Sequence, residues 1–175
     1  MYKLLTVILS VLALNMNAQS FYELEAKTID GDVFKFETLR GKKVMIVNVA
    51  SKCGYTPQYE DLEKLWQTYK EKDFIILGFP ANDFMKQEPG TDQEIKEFCS
   101  LTYGVSFPMM SKITVKGDAM HPVYKWLTMK EKNGVKDSKI KWNFQKYFID
   151  ENGNWVECFE PGVKPFDESI LKLIE

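Results

Sequence analysis

Histidine and cysteine are scarce in this chain, with one of the first and three of the second in 175 residues. A single histidine excludes the multi-histidine metal centres. Cysteines at 53, 99 and 158 are too widely spaced for the Cys-x2-Cys pairs of a zinc site. No metal or cofactor is implied. Basic residues are not in excess either: 23 Lys plus Arg stand against 25 Asp plus Glu, for a net charge of -2. That balance gives no electrostatic footprint for nucleic acid or an anionic membrane surface. The longest apolar run, Leu4 to Leu14, falls well short of the roughly 20 residues that a spanning helix needs, so no stable membrane anchor is expected. There is no repeat, low-complexity tract or linker. What is present, 45% hydrophobic and 27% charged residues, suits one globular domain.

The first residues stand apart from that domain. Lys3 supplies a positive start, Leu4–Leu14 is almost wholly apolar, and Asn15-Met16-Asn17-Ala18 turns polar and small. Residues 1–18 therefore read as a secretory signal peptide cut near Ala18, leaving 19–175 as a single domain. Export places the mature chain in a periplasm or outside the cell, where disulfides form and persist.

Along 19–175 the patterning alternates between strand and helix. "YELEAKTIDGDVFKFETL" alternates apolar and polar residues around Asp30-Gly31, which predicts an N-terminal hairpin. "KVMIVNVAS" (43–51) and "FIILGFP" (74–80) are continuous apolar runs, as expected of strands covered on both faces. Between them Leu62, Leu65, Trp66 and Tyr69 share a helical face, with Thr56 expected as the cap and Pro57 as the first helical residue. Strand, helix, strand predicts a parallel crossover. Thr91-x-x-Glu94 opens a short helix through "TDQEIKEFCSL" with a capping box. A further helix is expected from His121 to Lys130, with His121 at its start before Pro122 and not as a catalytic base. A hairpin around Asn152-Gly153 and a closing helix in "FDESILKLIE" complete the order. Asp150-x-Asn152-x-Asn154 opens like a calcium loop, but Trp155 stands where glycine is required and no Glu closes it. The expected class is α/β: a thioredoxin-like fold with a central mixed β-sheet, helices on both faces and an N-terminal β-hairpin.

Cys53 follows the first long apolar run in "NVASKCGYTP". Ligands of open α/β sheets gather at the carboxyl ends of parallel strands, where helix N-termini point. The helix dipole and Lys52 favour an anion there, and the thiolate is the reactive form of cysteine. Cys53 is therefore a candidate nucleophile. The fourth residue of "CGYT" is Thr56, so the Cys-x-x-Cys of a disulfide reductase is missing. A cysteine with no adjacent partner suits peroxide reduction through a sulfenic acid.

Three segments, "NVASKCGYT", "FPANDFMKQEPGT" and "KWNFQKYF", resemble the signature segments of the glutathione peroxidase family in the right order. The resemblance runs from about Phe21 to the C-terminus. It implies a thioredoxin-like fold, reduction of hydroperoxides, and a catalytic tetrad of Cys53, Gln87, Trp142 and Asn143. The two amides and the indole N–H are donors able to hold a thiolate, orient a peroxide and stabilise a departing alkoxide. "EFCSLTYGVSFP" resembles the segment that carries the resolving cysteine of the thioredoxin-using branch, which makes Cys99 the resolving residue. The implied reductant is a thioredoxin-like dithiol in preference to glutathione. A disulfide needs Cα atoms within about 7 Å, so a Cys99 on its own helix requires residues 92–104 to unwind partly during turnover.

The chain also departs from the family. Ala81 stands where many relatives have cysteine, and Met85-Lys86 replaces a glycine-rich pair, so a positive φ there would reshape the loop that aims Gln87. Lys130 to Trp142 lacks the long segment that builds tetramers, so a monomer is expected, with a site open to lipid hydroperoxides. Cys158 alternates with core positions and takes no role. Two other readings share parts of this chemistry: a peroxide sensor that passes its disulfide to a partner, and a general thiol-disulfide exchange protein.

Overall fold

The computed structural model describes residues 18–175; residues 1–17, which carry most of the expected signal peptide, lie outside the described residues. The chain forms β1 (Glu25–Lys27), β2 (Val33–Lys35), β3 (Lys43–Val49), α1 (Gln58–Tyr69), β4 (Phe74–Pro80), α2 (Asp92–Tyr103), α3 (Pro122–Thr128), α4 (Lys130–Asn133), β5 (Lys146–Ile149), β6 (Trp155–Phe159) and α5 (Glu168–Ile174). Four strands make the central sheet in the order β4-β3-β5-β6. β3 and β4 are parallel, while β5 runs antiparallel to both β3 and β6. Among the described residues, no helix is long and apolar enough to cross a membrane.

The continuous apolar pattern of β3 follows from burial on both faces, since successive side chains point to opposite sides. Val44 and Ile46 join the core formed with Val123, Tyr124, Trp126 and Leu127 of α3. Met45, Val47 and Val49 join the other core, with Leu62 and Leu65 of α1, Ile95 and Cys99 of α2, and Ile170 and Ile174 of α5. The expected mixed sheet with helices on both faces is what forms.

Several boundaries moved. The N-terminal hairpin is only three residues deep on each side, because Phe36–Leu39 coils into a 3-10 turn that buries both Phe36 and Leu39. A strand would have pointed those two residues to opposite faces. The helix expected from His121 to Lys130 breaks at Met129, whose backbone is extended, and restarts as α4 with Asp137 Oδ1 accepting the Lys130 N–H at 2.8 Å. His121 does stand at the helix start, where its Nδ1 accepts from the Val123 N–H. The Thr91–Glu94 capping box is present at the head of α2. In the late hairpin, Asp150 accepts from the Asn152 and Asn154 N–H groups and from Asn154 Nδ2, so its carboxylate closes a turn.

Candidate active site

Topology alone brings three separated segments to one edge of the sheet. The parallel pair β3 and β4 ends there, releasing the Cys53 turn after Val49 and the Asn82–Gln87 loop after Pro80. β5 is antiparallel to β3, so its beginning, preceded by Trp142-Asn143-Phe144, lies at the same edge. Backbone bonds tie the three together: the Lys52 N–H donates to the Gln87 carbonyl at 3.0 Å, and the Phe144 N–H to the Asn48 carbonyl at 2.6 Å. Asn48, fully buried in β3, adds a side-chain bond from its Nδ2 to the Trp142 carbonyl at 3.0 Å.

Cys53 is 8% exposed and sits in a run of turns before α1. The Tyr55 N–H donates to its Sγ at 3.4 Å. Thr56 does not cap α1 as expected. Its hydroxyl accepts the Cys53 N–H at 2.9 Å and donates to the Ala50 carbonyl at 2.7 Å, while Pro57 takes the cap position and α1 starts at Gln58. The hydroxyl thus closes the Cys53 turn on itself, and the helix begins one residue later than expected.

The remaining predicted residues surround this turn. Asn143, fully buried, donates from Nδ2 to Gln87 Oε1 at 3.0 Å. With its oxygen engaged, the Gln87 amide has its Nε2 donors left for a ligand. The Trp142 ring rests on Phe84, with centroids 5.4 Å apart, and shares with Tyr55 the wall of a cavity of about 470 Å³. None of Gln87, Trp142 or Asn143 hydrogen-bonds to Cys53 Sγ here. The structure thus brings the three donors to the rim of the Cys53 turn, a more open arrangement than donors already converged on the sulfur.

Strain marks the same edge. Phe144 has φ 67° and is buried against Tyr59. Met85 and Lys86 have φ 50° and 54°. The positive φ that a glycine pair would take easily is therefore kept by two residues with side chains, and Gln87 still meets Asn143. A non-glycine residue held there costs of order 1–3 kcal/mol, which surrounding contacts must offset.

Cys99 lies in the body of α2, 1% exposed, and is a free thiol like Cys53 and Cys158. Burial pushes its pKa up to about 11. The buried Tyr59 hydroxyl, without a hydrogen-bond partner of ordinary geometry, is within electrostatic reach of that thiol. Cys158 accepts from Gln145 Nε2 at 3.3 Å on β6.

Sequence reasoning missed four residues that build the site. Asn48 and Lys146 are polar residues inside apolar strands, a visible signal of a specific buried role. Lys146 is fully buried and donates to Gln58 Oε1 and to the Pro161 and Val163 carbonyls, tying β5 to the start of α1. Thr56 was read for the wrong bond. Glu88, beside Gln87, gave no signal that its carboxylate is buried.

A thioredoxin-like sheet that presents one cysteine at the carboxyl end of a parallel strand, with no second cysteine in the turn, defines a class: thiol-based oxidoreductases that lack a Cys-x-x-Cys pair. Comparison with known proteins narrows it. The family model described as glutathione peroxidase matches residues 21–128. The chain is 51% identical over 157 residues to glutathione peroxidase-like peroxiredoxin 2 of Saccharomyces cerevisiae, covering 89% of this chain and 97% of that protein. It is 46% identical over 157 residues to a glutathione peroxidase of Lactococcus lactis subsp. cremoris, covering 89% and 99%. The crystal structure of Trgpx in its apo form superposes with a TM-score of 0.70 at 33% identity, covering 90% of this chain and 97% of that one. The chain belongs to the glutathione peroxidase family. It is a peroxidase with a thioredoxin-like fold.

Proposed function

We propose that this chain reduces hydrogen peroxide and organic hydroperoxides, lipid hydroperoxides among them, by a two-cysteine cycle. The Cys53 thiolate attacks the terminal peroxide oxygen, the O–O bond breaks, and the alcohol or water leaves as Cys53 becomes a sulfenic acid. Gln87 Nε2, the Trp142 indole and the amide of Asn143 orient the peroxide and stabilise the departing alkoxide, with Asn143 also holding Gln87 in position. Cys99 then condenses with the sulfenic acid, releasing water and forming a Cys53–Cys99 disulfide. An external dithiol of the thioredoxin type restores both thiols by exchange.

The observation that carries this reading is the convergence of the Cys53, Gln87 and Trp142-Asn143 segments at one sheet edge, locked by the 3.0 Å bond from Asn143 to Gln87. A second thiol on the same side of the sheet, on a short helix, supports the resolving role of Cys99. The name of the Saccharomyces cerevisiae relative, a glutathione peroxidase-like peroxiredoxin, supports a dithiol reductant. The proposal includes a monomer exported through a signal peptide at residues 1–18.

A steady-state peroxidase assay run separately with thioredoxin and with glutathione tests it. Activity is expected with thioredoxin and lost in Cys99→Ser. Equal glutathione-driven rates for wild type and variant would remove the resolving role of Cys99.

A further inference from the structure

Glu88 is a carboxylate only 1% exposed, and the cycle above makes no use of it. Its Oε2 accepts from the Ser51 hydroxyl at 3.1 Å, two residues before Cys53, and its backbone N–H donates to Asn82 Oδ1 at 2.9 Å. A cavity of about 400 Å³ opens beside it, with Ser51, Lys52 and Glu88 on one wall and Glu94, Ile95 and Phe98 of α2 on the other. Ile95 and Cys99 are i and i+4 on one buried helical face. This cavity therefore borders the space that Cys99 must cross to reach Cys53.

The charged and titratable groups facing Glu88 come from several elements: Lys52 in the Cys53 turn, Lys112 in the strand-like run after α2, Tyr59 on α1, and Glu94 and Cys99 on α2. Neither lysine forms an ion pair with the Glu88 carboxylate; Lys112 Nζ instead donates to the backbone carbonyls of Glu88 and Gly90. Burial raises the Glu88 pKa, and the Ser51 hydrogen bond and the two lysines pull against it. Cys99 is pushed the same way, first by burial and further by the Glu88 charge. Cys99 therefore stays a thiol at neutral pH, and its proton must be taken as it attacks.

We propose that Glu88 is the proton acceptor of the resolving step, a role that rests on the two-cysteine reading above. As the Cys99 sulfur attacks the sulfenic sulfur of Cys53, its S–H proton passes to the Glu88 carboxylate and the S–S bond forms. The S–O bond breaks, and the leaving hydroxide takes the proton back from Glu88 and departs as water. Two electrons from the Cys99 sulfur reduce the sulfenic sulfur, so no other reductant or oxidant is needed, and Glu88 ends ionised as it began. Glu88 suits both transfers because it bonds to Ser51, two residues before Cys53, and faces across the cavity to Ile95, one turn before Cys99 on α2.

The test follows reduced protein after one equivalent of hydrogen peroxide, from pH 5 to 9. Sulfenic acid is trapped and counted in one arm, and the Cys53–Cys99 disulfide is counted by mass spectrometry in the other. In Glu88→Gln, disulfide formation should slow at least tenfold more than sulfenic acid formation does. Its rate should then climb with pH up to the thiol range, where the wild type levels off above the carboxyl inflection. Glu88→Asp should regain part of the rate with the wild-type profile. Equal slowing of both steps, or an unchanged pH profile, would overturn the role. If Glu88→Gln does not fold, Ser51→Ala serves instead: losing its hydrogen bond should move the inflection upward, and an unmoved inflection overturns the proposal. If the wild type itself forms no Cys53–Cys99 disulfide, the two-cysteine reading falls first and the Glu88 role with it.

Discussion

At the scale of single side chains, the Thr56 hydroxyl bonds at both ends, to the Cys53 N–H and to the Ala50 carbonyl, and all three groups are buried. Replacing Thr56 with valine keeps the volume and strands both backbone groups. An unpaired buried polar group costs about 1–3 kcal/mol. Thr56→Val should therefore lower the unfolding free energy by about 2 kcal/mol or more in urea titration and slow peroxide consumption, while Thr56→Ser keeps most of both. Stability equal to wild type would mean that the hydroxyl does not hold the turn. A threonine before a proline and an amphipathic run looks like a helix cap, because caps and turns use the same short side-chain-to-backbone bond. Which N–H it takes depends on where the chain goes next, and that is set by packing. Cys53, Gln87, Trp142 and Asn143 were nameable as candidates from the chain, and Lys146 stands out as a charge heading an apolar strand, whereas Glu88 lies in a polar loop where burial of a charged side chain is invisible to residue type.

At the scale of elements, the proposed Cys53–Cys99 disulfide requires α2 to give way. The helix is well ended, with a capping box at Thr91 and Gly104 in the left-handed C-cap, but Ile95 and Cys99 are its fully buried side chains, and Leu101 is 84% exposed. A twelve-residue helix is marginal by itself in water and depends on such anchors. Drawing Cys99 into a disulfide removes one of the two. Hydrogen exchange should therefore quicken across residues 93–104 in the peroxide-oxidised protein relative to the reduced protein, while α1 keeps its protection. Identical protection of α2 in both states would contradict unwinding. The start of α2 was legible because a capping box is a local signal four residues long. The break at Met129 was not, because Asp137, which caps α4, comes from seven residues downstream of Lys130.

At the scale of the whole molecule, Lys146 joins β5, α1 and the Pro161–Val163 loop through one buried ammonium, and burial lowers its pKa to about 7. In the unfolded chain that pKa returns to about 10.4. Above pH 7 the unfolded state thus holds a proton that the folded state has released, so the lysine contributes stability that rises with pH; below 7 both states are protonated and the gain is gone. Cys99 has the opposite sign. Its folded pKa of about 11 lies above the unfolded value of about 8.5, so from there upward it removes stability as pH rises. The clean window is pH 7 to 8.5. Across it, wild type should gain about 1–2 kcal/mol relative to Lys146→Met in denaturant titrations. Parallel curves for the two proteins would show that Lys146 keeps its proton throughout.

Period and punctuation in the chain by themselves determined the α/β class, the parallel crossover, the capping box and the placing of Cys53 in the turn after the first long strand, because each depends on residues close together in sequence. Tertiary structure alone decided that Phe36–Leu39 coils, that Thr56 closes the Cys53 turn, that Asn143 holds Gln87, and that Glu88 lies buried beside the Cys53 turn. The first depends on the core that Phe36 and Leu39 share with Phe21 and Trp126; the other three depend on which segments meet at the end of β3 and on which polar groups lose water there, properties of the packed sheet edge.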